Sequence, residues 1–197
     1  MGRLHHQTLI FICGWPFSGK TSLAERVRDE LNVHHVDIDD MRWLAIGKPY
    51  PHPNESPELM KKDGQEMGGA YRLVFTTIDW HLETGRSILA TATLSSKPHG
   101  QEKLRAVYEK YPLARVKIIQ CVPQGDTSEV VARLMGKRDF GESGYRGAVN
   151  SPERYYEVKG RFNPIELPHL EILTWGSDNE IKDEVKLAMG YILLSKS

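Results

Sequence analysis

The sequence predicts an α/β domain, a doubly wound parallel sheet of about five strands with helices on both faces. Three observations carry this reading. Five short apolar runs alternate with longer amphipathic stretches, the pattern of parallel strands joined by helical crossovers. The first run, Leu9-Ile-Phe-Ile-Cys13, is apolar at every position, as in a strand buried on both faces. The chain has 197 residues with no repeat or low-complexity tract, which fits one domain spanning residues 1–197.

The elements follow in order. After Leu9–Cys13 and a glycine loop, Lys20 to Asn32 is an amphipathic helix with Leu23, Ala24, Val27 and Leu31 on one face and Asn32 as its stop. His34 to Ile38 is a second strand. Pro49, Pro51, Pro53 and Pro57 make Lys48 to Pro57 an irregular loop. A long helix is expected from about Glu58 to Glu83, weakened at Gly68-Gly69 and ended by Thr84-Gly85. Ser87 to Leu94 is a third strand, Gln101 to Lys110 a helix and Arg115 to Val122 a fourth strand. Thr127 to Met135 is a helix that leads into a glycine-rich, basic segment running to about Arg161. Leu170 to Trp175 is a fifth strand, and Glu180 to Leu194 a closing helix.

Composition excludes several classes. Lys and Arg total 26 and so do Asp and Glu, so there is no basic excess to hold a nucleic-acid backbone non-specifically. The longest apolar run, Leu9–Cys13, is far short of the roughly 20 residues that a membrane helix needs. Met1 to Gln7 is too polar for a secretory signal. The two cysteines, Cys13 and Cys121, stand in separate apolar runs and make neither a disulfide framework nor a metal spacing. A reducing cytoplasm is the expected compartment.

Gly14-Trp15-Pro16-Phe17-Ser18-Gly19-Lys20-Thr21 matches G-x-x-x-x-G-K-[ST], a phosphate-binding P-loop, and it stands between a strand and a helix as the motif requires. Gly14 and Gly19 allow the loop to curl, so that backbone N–H groups converge on an anion. The helix that carries Lys20, Thr21 and Ser22 adds the positive end of its dipole. Lys20, on an exposed first turn, is expected at the β- and γ-phosphates of ATP, and Thr21 at Mg²⁺. Pro16 removes one N–H from the cradle, and Phe17 is bulky for its place.

The second constellation is Asp37-Ile-Asp39-Asp40-Met-Arg42. At the carboxyl end of a strand it faces the ligand crevice of a doubly wound sheet. Carboxylates beside a polyphosphate repel it unless they hold a metal or act as a base. The competing reading is structural, with Asp39 or Asp40 capping a helix that starts near Met41.

A P-loop followed about 20 residues later by Asp37-x-Asp39-Asp40-x-Arg42 resembles the small P-loop kinases: shikimate and gluconate kinases, zeta-toxin-like kinases and polynucleotide 5′-kinases. The resemblance implies a P-loop NTPase fold of the nucleoside and shikimate kinase type. It implies transfer of the γ-phosphate of ATP to a hydroxyl group. Asp39 would be the general base in contact with substrate, Asp37 a metal ligand and Arg42 a substrate contact. Relatives often place an acid on the third strand where this chain has Thr91, which shifts metal binding to Thr21 and Asp37. The basic segment from about 133 to 161 falls where the class has its lid, with Arg133 and Arg138 as candidate catalytic cations. Gly136 to about Ser151 is expected to be ordered by ATP. Residues from about 43 to 83, with Tyr50, His52, Glu66 and Tyr71, fall where the class holds its acceptor. The histidines read as packing or surface residues.

The expected partners are ATP and a small hydroxylated substrate, for a monomer or homodimer. Two alternatives stand beside this reading. Arg42 favours a polynucleotide 5′-hydroxyl acceptor, which the neutral charge balance opposes. The missing acid on the third strand permits a non-catalytic nucleotide-binding module.

Overall fold

A computed structural model describes residues 4–46, 56–93, 98–123, 125, 127–137, 149, 151–160, 162, 164–174 and 178–194. Five strands, β1 (Thr8–Cys13), β2 (His34–Asp37), β3 (Ile88–Ala92), β4 (Arg115–Val122) and β5 (His169–Leu173), form one sheet in the order β2-β3-β1-β4-β5. Every pairing is parallel. From β1 the chain turns to one side of the sheet for β2 and β3, then crosses to the other side for β4 and β5. The reversal falls at β1, and the carboxyl ends of the strands around it are where such a sheet opens a crevice.

The helices are α1 (Lys20–Leu31), α2 (Ile38–Ile46), α3 (Pro57–Glu83), α4 (Pro98–Lys110), α5 (Ser128–Lys137), α6 (Pro152–Lys159) and α7 (Asp178–Leu193). They cover both faces, which explains the unbroken apolar run of β1. Leu9, Phe11 and Cys13 pack with Ala70, Val74, Ile78 and Leu82 of α3 and with Leu104 and Val107 of α4. Ile10 and Ile12 point the other way, onto Leu23, Ala24, Val27 and Leu31 of α1 and onto Ala188, Met189 and Ile192 of α7. Each valine, leucine, isoleucine, phenylalanine or methionine so removed from water contributes about 1.5–3 kcal/mol. α1 ends at Asn32 in a left-handed conformation, a cap that asparagine adopts readily.

The long helix α3 spans Pro57–Glu83 as expected, and Ala70, Val74, Ile78 and Leu82 lock its inner face to the sheet beyond Gly68-Gly69. Two expectations need correction. A helix, α2, starts at Ile38, directly after β2 and three residues before Met41. A further helix, α6, lies within the glycine-rich, basic segment, for which no helix was expected beyond Met135. Ser151 caps it, accepting from the Arg154 amide at 3.2 Å, and Pro152 occupies its first turn. Pro49, Pro51 and Pro53 lie outside the described residues, as do Tyr50 and His52.

Candidate active site

The loop after β1 is shaped by two glycines. Gly14 has φ +147°, and a Cβ there would stand 2.6 Å from the Cys121 carbonyl oxygen and 2.5 Å from Ser18 Oγ. Gly19, at φ +79°, precedes the first turn of α1, and a Cβ there would stand 3.0 Å from Thr174 Cβ. Phe17 also takes a left-handed conformation, with φ 62°, which costs a side-chain-bearing residue about 1–2 kcal/mol. Its ring packs toward Tyr155, with centroids 6.4 Å apart. Strain held in a loop by surrounding packing is a common feature of ligand-binding sites.

The polar groups of the loop are unevenly satisfied. Ser18 Oγ and Thr174 Oγ1 are buried with no hydrogen-bond partner among the described residues. Both flank the glycines that curl the loop, so the cradle contains polar atoms that a ligand could satisfy. No acidic residue occupies the first turn of α1, so the helix terminus keeps its positive field. Thr21 and Ser22 are exposed there.

Lys20 corrects the expectation of an exposed first turn. It is half-buried, and its ammonium donates to the Trp15 carbonyl oxygen at 2.9 Å, across the mouth of its own loop. Burial pulls its pKa down, and the fields of Cys121, Asp39, Asp37 and Cys13 oppose this. Asp37, at the end of β2, and Asp39, on the first turn of α2, thus lie close enough to act on the lysine of the motif. Beneath them Cys13 and Cys121 are free and buried, and burial pushes the Cys121 thiol up to about 12.

Asp37 makes the cap that the sequence reading gave to Asp39 or Asp40. Its Oδ1 accepts the Asp39 amide at 2.8 Å and the Asp40 amide at 3.4 Å, the geometry of an N-cap on α2. Its Oδ2 accepts the hydroxyl of Thr91, its register partner on β3. A carboxylate has about four lone-pair directions, and three are thus engaged. Asp39 and Asp40 sit exposed on the first turn of α2. The Asp40 carboxyl is raised by burial and by Asp37, with His35 opposing. Tyr71 of α3 faces the same region. Its hydroxyl lies 3.0 Å from Thr93 Oγ1, and its pKa is raised by burial and further by Asp39.

Arg42 is buried against α3, where its guanidinium meets Glu66 at 3.3 Å. The pair joins two residues that the sequence reading had placed separately near the acceptor. Arg133 lies on the backbone of α5, while its side chain, all of Arg138 and residues 138–148 are outside the described residues. Three contacts were not foreseen: Trp15 with Tyr155, Arg42 with Glu66, and His35 with Thr91. Sequence spacing carries no signal for any of them. α6 did have one, in Ser151-Pro152-Glu153.

Among the described residues no group of three or more His, Cys, Asp or Glu side chains is arranged to hold a metal ion. The exposed Thr21 hydroxyl and the two carboxylates suit Mg²⁺, which keeps several waters and is commonly held through one or two carboxylates plus phosphate oxygens.

Comparison with known proteins places this geometry in a family. The family model for zeta toxin matches residues 3–137. No curated protein matches the chain. Among solved structures, a proposed kinase from Chloroflexus aurantiacus is 19% identical, covering 95% of this chain and 99% of its own with a TM-score of 0.66. The shikimate kinase of Bacteroides thetaiotaomicron is 14% identical over 95% of this chain and 99% of its own, with a TM-score of 0.56. The Mycobacterium tuberculosis APS kinase, in complex with AMPPNP and APS, is 14% identical over 95% of this chain and 98% of its own, with a TM-score of 0.53. The fold is that of the small P-loop kinases.

Proposed function

Because the chain belongs to the zeta toxin family, we propose that it is an ATP-dependent kinase acting on a hydroxyl group of a small molecule. The observation that carries this reading is a glycine-curled loop with two buried, unpartnered hydroxyls and a lysine whose ammonium crosses its mouth, in reach of the fields of Asp37 and Asp39. A phosphoryl-transfer site needs positive charge on the phosphates beside a carboxylate that can take a proton.

The roles follow from position. The loop from Gly14 to Ser22 holds the phosphates with its amides and the terminus of α1. Lys20 exchanges the Trp15 carbonyl for β- and γ-phosphate oxygens. Thr21 and Asp37 would hold Mg²⁺, with Asp37 acting through its remaining lone pair or a water. Bound there, the ion would neutralise charge on the phosphates. Asp39 accepts the proton of the acceptor hydroxyl as that oxygen bonds to the γ-phosphorus and the bond to the ADP oxygen breaks. Arg133 and Arg138 are the candidate cations for the equatorial oxygens. Arg42, paired with Glu66, belongs to the wall between α2 and α3 and is the candidate substrate contact there.

Free buried cysteines fit a reducing cytoplasm. No helix among the described residues is long and apolar enough to cross a membrane. We take the working unit to be a monomer or a homodimer.

Transfer of γ-labelled phosphate tests the reading. The wild-type chain and Lys20→Ala are each given ATP, Mg²⁺, a panel of hydroxylated metabolites and a 5′-hydroxyl oligonucleotide. Label is expected on a small molecule with the wild type and on nothing with Lys20→Ala. Label on the oligonucleotide would establish the polynucleotide alternative. No label on anything would leave a nucleotide-binding module without catalysis.

A further inference from the structure

His35 and Thr91 connect to Asp37, two residues before the candidate base, but have no part in the reaction as described. Thr91 is fully buried on β3. His35 Nε2 lies 2.9 Å from Thr91 Oγ1, and the Thr91 hydroxyl donates to Asp37 Oδ2. Asp37 Oδ1 then accepts the amides of Asp39 and Asp40.

The direction of this chain is forced by the atoms. An ionised carboxylate only accepts. Thr91 has one hydroxyl proton and gives it to Asp37, so its oxygen must accept from His35. His35 therefore carries a proton on Nε2. The geometry is equally constrained. His35 and Asp37 are two apart on β2 and share one side of the strand, and Asp37 is the register partner of Thr91. The chain ends on the two amides that define the first turn of α2, and Asp39 is in that turn.

We propose that His35, Thr91 and Asp37 form a directional hydrogen-bond chain that fixes the first turn of α2 and thereby positions Asp39. Its catalytic consequence rests on the kinase reading above. Thr91 and His35 are positioning residues: they act on Asp39 through Asp37 and the first turn of α2. The chain requires a donor, and not a second acid, at residue 91. A second carboxylate at hydrogen-bond distance from Asp37 would repel it and release the cap, whereas a hydroxyl donates to it. It also accounts for Asp37 having most of its lone pairs occupied. A general base must stand within hydrogen-bond reach of the proton it removes, and a shift of about 1 Å can cost about 10²-fold in rate. An exposed carboxylate on the first turn of a short helix holds such a position only if that turn is pinned.

Residue-resolved hydrogen exchange tests the chain independently of catalysis. In Thr91→Val the shape is kept but the donor to Asp37 is lost. In His35→Leu, at a half-exposed position, loss of fold is not expected. Both variants should exchange the Asp39 and Asp40 amides about fivefold or more faster than the wild type, in proportion to a weakened cap. Thr91→Ser and His35→Gln keep the donors and should restore wild-type exchange. Turnover of ATP with water as acceptor should fall with Thr91→Val and recover with Thr91→Ser, while Kd for a non-hydrolysable ATP analogue stays constant. Unchanged exchange at Asp39 and Asp40 in both donor-deleting variants would overturn the chain. So would equal acceleration by Thr91→Ser and Thr91→Val. A wild-type chain that transfers label to no acceptor would overturn the kinase reading alone, since the exchange result stands apart from it.

Discussion

The indole Nε1 of Trp15 donates a 2.8 Å hydrogen bond to the phenolic oxygen of Tyr155, and both side chains are buried. It ties the phosphate loop to α6 across 140 residues of sequence. Phe162 meets the Trp15 ring edge-on at 6.0 Å, Lys159 Nζ lies 5.3 Å from the ring centroid, and Val131 and Val149 complete the cluster. The same residue that supplies the carbonyl for Lys20 is thus held from behind by a helix of the basic segment.

Tyr155→Phe should therefore reach the loop. The ring is retained, but the buried indole N–H loses its acceptor, which costs about 1–3 kcal/mol. Chemical denaturation should show that loss. In a double-mutant cycle with Trp15→Phe, the two changes together should cost less than their sum, because each removes the same bond. Strict additivity would mean that the bond contributes nothing.

Gly14→Ala should abolish ATP binding and lower stability. Its Cβ would meet the Cys121 carbonyl and Ser18 Oγ at less than 3 Å, at a φ that L-residues rarely adopt. The carbonyl belongs to β4 and cannot yield without disturbing the sheet. Calorimetric titration with an ATP analogue and a thermal melt measure the two effects. Wild-type affinity in the variant would show that the loop tolerates a side chain there and is not a tight cradle.

Asp39→Asn should lower phosphate transfer by about 10²–10⁴-fold, the usual contribution of a general base. ATP affinity should change little, because Asp39 stands on the exposed first turn of α2 while the phosphates are held by the loop. Loss of affinity at an unchanged rate would make Asp39 a metal or structural residue.

Stability should fall as the pH drops below about 6.5, in part through His34. The ring of His34 stacks on His81 with centroids 4.8 Å apart. Burial, and then His81, lower the His34 pKa from 6.5. The unfolded chain takes up the proton first on acidification, so stability present above pH 6.5 is lost as pH falls through the folded value. His34→Gln should flatten the decline of Tm between pH 7 and pH 5. An unchanged slope would assign the acid sensitivity to other groups.

The parallel sheet and its helices were legible because they rest on local periodicity. The run Leu9–Cys13 and the face Leu23, Ala24, Val27 and Leu31 state which sides are buried without reference to any distant residue. The phosphate loop was legible for the same reason, since its glycines, lysine and threonine act within eight consecutive positions. The start of α2 was misplaced because Asp37, Asp39 and Asp40 are equally good caps by residue type. Asp37 is selected by the Thr91 hydroxyl, which arrives from another strand. α3 passes through Gly64, Gly68 and Gly69 because sheet packing outweighs their propensity cost of about 1 kcal/mol each.

The sequence by itself determined the fold class, the anion cradle and the presence of carboxylates beside it, all products of short-range pattern. The tertiary structure alone decided what each side chain does there. It turned Asp37 into a cap, paired Arg42 with Glu66, bound Trp15 to Tyr155 and placed His35 behind Thr91. These relationships join residues from 2 to 140 positions apart, and the longer ones exist only because parallel strands and their crossovers bring distant segments to one edge. Hydrogen bonds depend on distance and direction in space, and a sequence records only order along the chain.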